Sequence, residues 1–368
     1  MPRSKLILCT PGPVRIPPIV ADYMADPPCN YHRQEGFRAM FAETESDVKA
    51  LIGIKDPNAY FATMITSTGT GGNEAALLAF EGLGKGLILR NGWFASRLVD
   101  QVVQNQIAHV VMESPHDRPI DPTELDHFLA KNPDLKWVYL VSHETRAGLV
   151  NPLTQIGQVA KKRGLFVGAD IVSSAYAYKL DIEAAGLDVG ITSSAKAIMG
   201  VPGLAICFVK LASLPALKAV AKPRGYYLDL VAETEKQKKE MQTRFAQPVA
   251  LHAALRAACI HMKQVGIDNH MARIRRHMAE LEAHLLPLGC PATLDNAYRS
   301  NIAVNFRLPA GWEYPGFAAA MEAEGYYLLY GIPGDSTHFQ LSTIGDLTDE
   351  HIAGLKRALS KVLSAGPR

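Results

Sequence analysis

Short apolar runs alternate with amphipathic stretches through the middle of the chain. Residues 86–89, 108–112, 137–141, 165–169 and 203–209 are apolar segments of strand length, bounded by polar residues or glycine. Between them, residues 122–132 and 153–163 carry apolar side chains at helical spacing. A strand that is apolar at nearly every position is buried on both faces. Strands alternating with helices then predict a mostly parallel sheet covered on both sides. From about residue 249 the texture changes. A long helical pattern over 248–288, with a break at Gly266, leads to an apolar run at 302–306, a helical pattern at 315–324 and a strand at 339–341. The expected organisation is a large α/β unit over residues 1–250, its first fifteen or so forming an arm, and a smaller α+β unit over 251–368.

Composition narrows the class. A chain of 368 residues, 48% hydrophobic and 20% charged, is long enough for two cores and ordinary for a globular protein. A net charge of +2 gives no sign of a nucleic-acid or membrane-surface partner. The five cysteines form no CxxC pair and read as reduced thiols, which points to a cytoplasmic protein rather than a disulfide framework or a zinc site. The apolar stretch after Met1 is too short for a secretory signal, and no run is long enough to span a bilayer.

Candidate chemistry sits at the ends of the predicted strands. Lys196 lies in Thr192-Ser193-Ser194-Ala195-Lys196-Ala197-Ile198, a setting of small and apolar residues that disfavours its ammonium and lowers its pKa. Such a lysine is a Schiff-base nucleophile in the making. Asp170 closes the run Phe166-Val167-Gly168-Ala169-Asp170. Each has a plain alternative, a helix cap for Asp170 and a surface turn for Lys196, but their ordered conjunction after successive strands is the stronger signal. The turn Ser67-Thr68-Gly69-Thr70-Gly71-Gly72 feeds an Ala/Leu-rich helix and offers backbone N–H groups to an anion. It lacks the lysine of a P-loop and the spacing of a dinucleotide fingerprint, and by itself it reads more readily as a plain capped helix start. Trp93 and Phe94 stand at a loop-to-helix junction, placed either to stack on a planar ring or to fill the core. Ser142-His143-Glu144-Thr145 follows a strand; its His/Glu pair has no third ligand at sensible spacing, so a metal is not expected.

Together these residues resemble the class V aminotransferases, fold-type I enzymes dependent on pyridoxal 5′-phosphate (PLP), and within them the 2-aminoethylphosphonate–pyruvate aminotransferases most. The resemblance runs from Thr10-Pro11-Gly12-Pro13 through Thr68-Gly69-Thr70, Asn91-Gly92, Glu144-Thr145, Asp170, Ser193, Lys196, Gly200-Val201-Pro202-Gly203 and Arg244-Phe245 to Ile344-Gly345. It implies a large domain with a mostly parallel seven-stranded sheet sandwiched by helices, a small C-terminal domain, and a homodimer with the active site at its interface. It further implies that Lys196 holds the cofactor as a Schiff base and shuttles the substrate proton. Asp170 would pair with the pyridinium nitrogen, and Thr68, Gly69, Thr70 and Ser193 would cradle the phosphate. Phe94, with Trp93 as the other candidate, would stack on the ring, and Thr145 would bond the phenolic side.

Three positions depart from that pattern. Where the family carries an arginine for the substrate carboxylate, this chain has Gln340, which cannot supply a charged fork. The threonine that reaches the partner's phosphate is Ala246, and the residue before the lysine, often an amide, is Ala195. Arg33, Arg146 and Arg299 are the candidates to replace the clamp, each read more readily as a surface charge. The expected activity is amino transfer from a small amine to an oxo-acid such as pyruvate. A PLP-dependent lyase on the same scaffold is the alternative that Gln340 suggests, and a non-PLP protein binding a phosphorylated ligand at the Thr68 turn is the third.

Overall fold

The computed structural model describes residues 6–222, 224–295, 297–332 and 334–367. The first five residues of the expected arm lie outside them. Strands β1 (Tyr60–Thr66), β2 (Gly86–Arg90), β3 (His109–Glu113), β4 (Trp137–Val141), β5 (Phe166–Asp170), β6 (Val189–Ser193) and β7 (Leu204–Lys210) form a seven-stranded sheet. Its order is β1-β7-β6-β5-β4-β2-β3, with β7 antiparallel to both neighbours and the remaining pairs parallel. The fully apolar runs sit where both faces are covered. In β4, Val138 and Leu140 enter one core, while Trp137, Tyr139 and Val141 enter the other. Alternate side chains point to opposite faces, so a strand buried on both sides favours apolar residues at nearly every position.

The apolar-run reading passed over β1 and β6. In β6, Gly190, Thr192 and Ser193 interrupt the run, yet all five residues are buried by the flanking strands and helices. The helix Asp349–Ala365 was also unmarked; Thr348 caps it, accepting from His351 N–H. The long helical pattern is two helices, Val249–Val265 and Ile267–Leu285, meeting at Gly266 with φ +83°. The first contributes Ala253 to Met262 to the core of the large sheet.

The C-terminal part carries a three-stranded antiparallel sheet, β8 (Ala303–Arg307), β9 (Leu329–Tyr330) and β10 (His338–Ser342), with β10 central. Phe306, Phe317, Phe339 and Leu341 build its own core. The arm joins this unit: Ile7–Leu8 pair in parallel with Tyr326–Tyr327, and Cys9 is buried in the same core. From there the chain crosses to the mouth of the large sheet. No helix among the described residues is long and apolar enough to cross a membrane.

Candidate active site

A cleft of about 220 Å³ opens where the carboxyl ends of β5 and β6 face the helix α1 (Gly69–Glu81) and the helix α2 (Trp93–Gln104). The open side of such a sheet, where strands end and helices begin, is the usual place for a ligand. A larger hollow of about 760 Å³ lies in the C-terminal unit, but small side chains line most of it and none of the candidate chemistry is there.

Lys196 reaches the cleft from the loop after β6, and its Nζ donates to Pro11 O at 2.8 Å. Desolvation pulls the amine down to about 8; Asp170 works against that shift and Arg97 with it. An amine at that value has a far larger neutral, nucleophilic fraction near physiological pH than an ordinary lysine. Gly12 makes room for it: the residue sits at φ +141°, and a Cβ there would stand 2.6 Å from Lys196 Nζ.

Asp170 ends β5 with its carboxylate buried. Oδ1 accepts from Val172 N–H at 2.9 Å, and Oδ2 accepts from the Asn73 amide at 2.6 Å. Asn73 Oδ1 in turn accepts from the Tyr139 hydroxyl at 2.9 Å. Burial pushes the Asp170 carboxyl up, and the two donors oppose it. A buried carboxylate held by neutral donors suits a cationic partner.

Thr68 is the N-cap of α1 and spends its hydroxyl on no capping bond. Gly69 follows, so close to the sheet that a Cβ would meet Val172 Cγ2 at 2.5 Å. The first N–H groups of a helix have no partner within it, and its dipole favours an anion. Arg97 adds a full charge: its guanidinium donates to Thr70 Oγ1 at 3.1 Å and stands over the Phe94 ring at 5.1 Å. Glu144 anchors the start of α2, accepting from Phe94 N–H at 3.0 Å and Ala95 N–H at 2.7 Å. Burial raises its carboxyl to about 7 against those two bonds.

The structure thus brings Thr68, Gly69, Thr70, Phe94, Asp170, Ser193 and Lys196 to one cleft. Trp93 turns away and meets His116 edge-on at 5.3 Å. Five expected residues are not among those lining it. The Thr145 hydroxyl donates to His143 O at 3.3 Å. Arg33 bonds Gln242 Oε1 at 3.0 Å, Arg299 bonds Glu282, and Arg146 packs on the Tyr330 ring. Gln340 is buried and spends its amide on Thr145 O at 2.7 Å and Asn305 Oδ1 at 3.0 Å. Ala246 is exposed on its loop.

Sequence reasoning gave no role to Asn73, Arg97 or Gly12 and weighed His143 at its strand's end only as half of a metal pair, yet all four line the cleft. A signal for Arg97 existed, since it follows Phe94 by three residues and so shares its helix face. Asn73 bears the same relation to Thr70. Gly12 was legible only as part of the motif Thr10-Pro11-Gly12-Pro13; nothing local shows its contact with Lys196, which is remote in sequence.

The model of the aminotransferase class-V family matches residues 21–314. The 2-aminoethylphosphonate–pyruvate transaminase of Burkholderia mallei strain SAVP1 is 30% identical over 99% of this chain and 98% of its own length; that of Burkholderia thailandensis is 29% identical over the same shares. Among solved structures, an alanine–glyoxylate aminotransferase from Nostoc sp. superposes with a TM-score of 0.89 at 23% identity, covering 99% of this chain and 96% of its own. The ureidoglycine–glyoxylate aminotransferase of Bacillus subtilis gives 0.87 at 22% identity, covering 99% and 95%. At that identity the two structures establish the fold.

Proposed function

We propose, for a chain that belongs to the class V aminotransferase family and is a PLP-dependent transaminase, that it moves an amino group from a small primary amine, 2-aminoethylphosphonate-like or an amino acid, to an oxo-acid such as pyruvate. The observation that carries this reading is the meeting of Lys196, Asp170 and the Thr68 turn in one cleft.

The residues present fit the cofactor. Asp170, already braced by Asn73 and Val172, would hold the ring nitrogen protonated. Thr68, Gly69, Thr70 and Ser193, with Arg97 beside them, would hold the phosphate, and Phe94 would cover a ring face. When bound, PLP supplies an electron sink for the bonds at the substrate carbon. The rest falls to Lys196, whose amine takes a proton from that carbon and returns it elsewhere. Its lowered pKa suits both directions of transfer. The names of the Burkholderia relatives support the phosphonate amine as donor and pyruvate as acceptor.

A homodimer belongs to the same reading. Tyr226 (79% exposed) and Tyr227 (41% exposed) form an apolar surface with Phe245 near the end of β1, a surface suited to a partner copy. Light scattering of the purified protein tests this, with a stable monomer as the contrary result. The five free cysteines, four of them buried, suit a reducing cytoplasm.

The test of the reaction is spectroscopic. 2-Aminoethylphosphonate and a panel of amino acids are added in turn to the PLP-loaded protein. Amino transfer bleaches the visible band, and pyruvate restores it. Release of ammonia or a carbon fragment without that reversible bleaching overturns the reading in favour of a lyase.

A further inference from the structure

Lys196 and Asp170 are paired within the protein, but His143 has a nitrogen left over. Its Nδ1 lies 3.2 Å from Ser173 O. A carbonyl only accepts, so Nδ1 carries the hydrogen and Nε2 carries the lone pair of a neutral ring. That Nε2 is buried and has no hydrogen-bond partner among the described residues. The imidazole is 2% exposed and lines the cleft in company with Ser173, Ala195 and Lys196. Tyr178 fixes its plane, edge-on at 88° with ring centroids 5.8 Å apart. Burial, with the charge of Lys196 assisting, pulls the imidazole down to about 4 against the opposing bond to Ser173 O. A buried acceptor without a donor costs as much as a lost hydrogen bond, and such atoms are rare without a reason.

Two neighbours sharpen the point. Ala195, in the same wall, offers only a methyl group, and the Gln340 amide is already bound to Thr145 and Asn305. A carboxylate cannot pair with a lone pair, so the ligand group that meets His143 must carry a hydrogen.

We infer that His143 Nε2 is a hydrogen-bond acceptor for the small molecules of this cleft, taking an O–H or N–H from the cofactor's ring hydroxyl or from the amine substrate. Where the amine substrate is the donor, His143 is a specificity residue that favours a donor group where an anion clamp would favour a carboxylate. The inference rests on the PLP dependence of the family and not on the identity of the amine.

Cofactor-stripped protein is titrated with PLP and with an analogue lacking the ring hydroxyl, in wild type, His143→Gln and His143→Leu. If the hydroxyl is the donor, His143→Leu binds PLP about tenfold more weakly. The analogue then binds wild type and His143→Leu alike, and His143→Gln, which retains an acceptor oxygen, recovers most of the affinity. If the substrate is the donor, PLP affinity is unchanged and the amine concentration for half-bleaching rises about tenfold, with the saturated rate retained. Equal PLP affinity and equal amine requirement in a folded His143→Leu variant overturn the inference. Nitrogen NMR of the wild-type imidazole covers a variant that fails to fold: Nε2 must move to a hydrogen-bonded shift on adding PLP or, failing that, 2-aminoethylphosphonate, and an unmoved resonance in both overturns it. If no amine bleaches the band, the transamination reading fails on its own, while the PLP titrations and the nitrogen shifts still decide the role of His143.

Discussion

Asn73 holds Asp170 by a 2.6 Å bond from its amide, and Tyr139 fixes Asn73 from behind at 2.9 Å. All three side chains are buried, so the chain Tyr139–Asn73–Asp170 aims the carboxylate through fixed donors. Replacing Asn73 by Leu strips one donor from Asp170 and the acceptor from Tyr139. Unfolding free energy should fall by about 2–4 kcal/mol, read by urea denaturation. PLP affinity should fall with it, since Asp170 is left more readily protonated. Unchanged PLP affinity in this variant counts against Asp170 as the ring-nitrogen partner.

Gly12→Ala places a methyl 2.6 Å from Lys196 Nζ, at a backbone angle that L residues rarely adopt. Lys196 must leave Pro11 O, and the visible band formed on adding PLP should be lost or shifted. A variant with the wild-type band shows that the arm can withdraw without cost to the lysine.

Lys196 also sets a pH dependence. Its folded pKa of about 8 lies below the ordinary 10.5. Between those values the unfolded chain binds the extra proton, so stability rises with pH from about 8 to 10.5 and is lost again as pH falls back to 8. In cofactor-free protein, Lys196→Met removes the term. Its stability advantage over wild type should be about 2 kcal/mol at pH 7, allowing for the lysine's partial exposure to the cleft, and should vanish above pH 10.5. Urea unfolding at both pH values measures it.

Glu144 behaves in the opposite sense. Its folded value of about 7 lies above the ordinary 4.5, so the folded state holds the extra proton between them and stability falls as pH rises through that range. Relative to Glu144→Gln, which stays neutral, wild type should lose about 3 kcal/mol between pH 4.5 and 7. A flat difference between the two proteins would place the Glu144 proton outside this window.

Gln340→Leu separates a structural role from a substrate contact. Thr145 O and Asn305 Oδ1 each lose a donor, and a loss of about 1–3 kcal/mol in stability is expected. The KM for the oxo-acid should stay within twofold, because Gln340 does not line the cleft. A tenfold rise in KM with unchanged stability makes it a substrate residue after all.

Much of the fold was legible because burial on both faces leaves a plain mark. The run Trp137–Val141 is apolar throughout, and the structure makes it the strand over exactly those residues, between β2 and β5. β6 was harder to see, since Thr192 and Ser193 owe their burial to neighbouring strands and not to their own chemistry. The break at Gly266 was readable as well, where a glycine interrupts a helical pattern and adopts φ +83°.

By itself, the sequence determined that a lysine in a small, apolar setting, an aspartate at a strand's end and a glycine-rich helix start belong to one chemistry, for these signals are local. Tertiary structure decided which partners they meet. Asn73 lies 97 positions from Asp170, Pro11 lies 185 from Lys196, and Thr145 lies 195 from Gln340. It also turned Arg33 and Arg299 to other partners and left His143 Nε2 without one. Hydrogen bonds and desolvation depend on positions in space, and spacing along the chain carries no record of them.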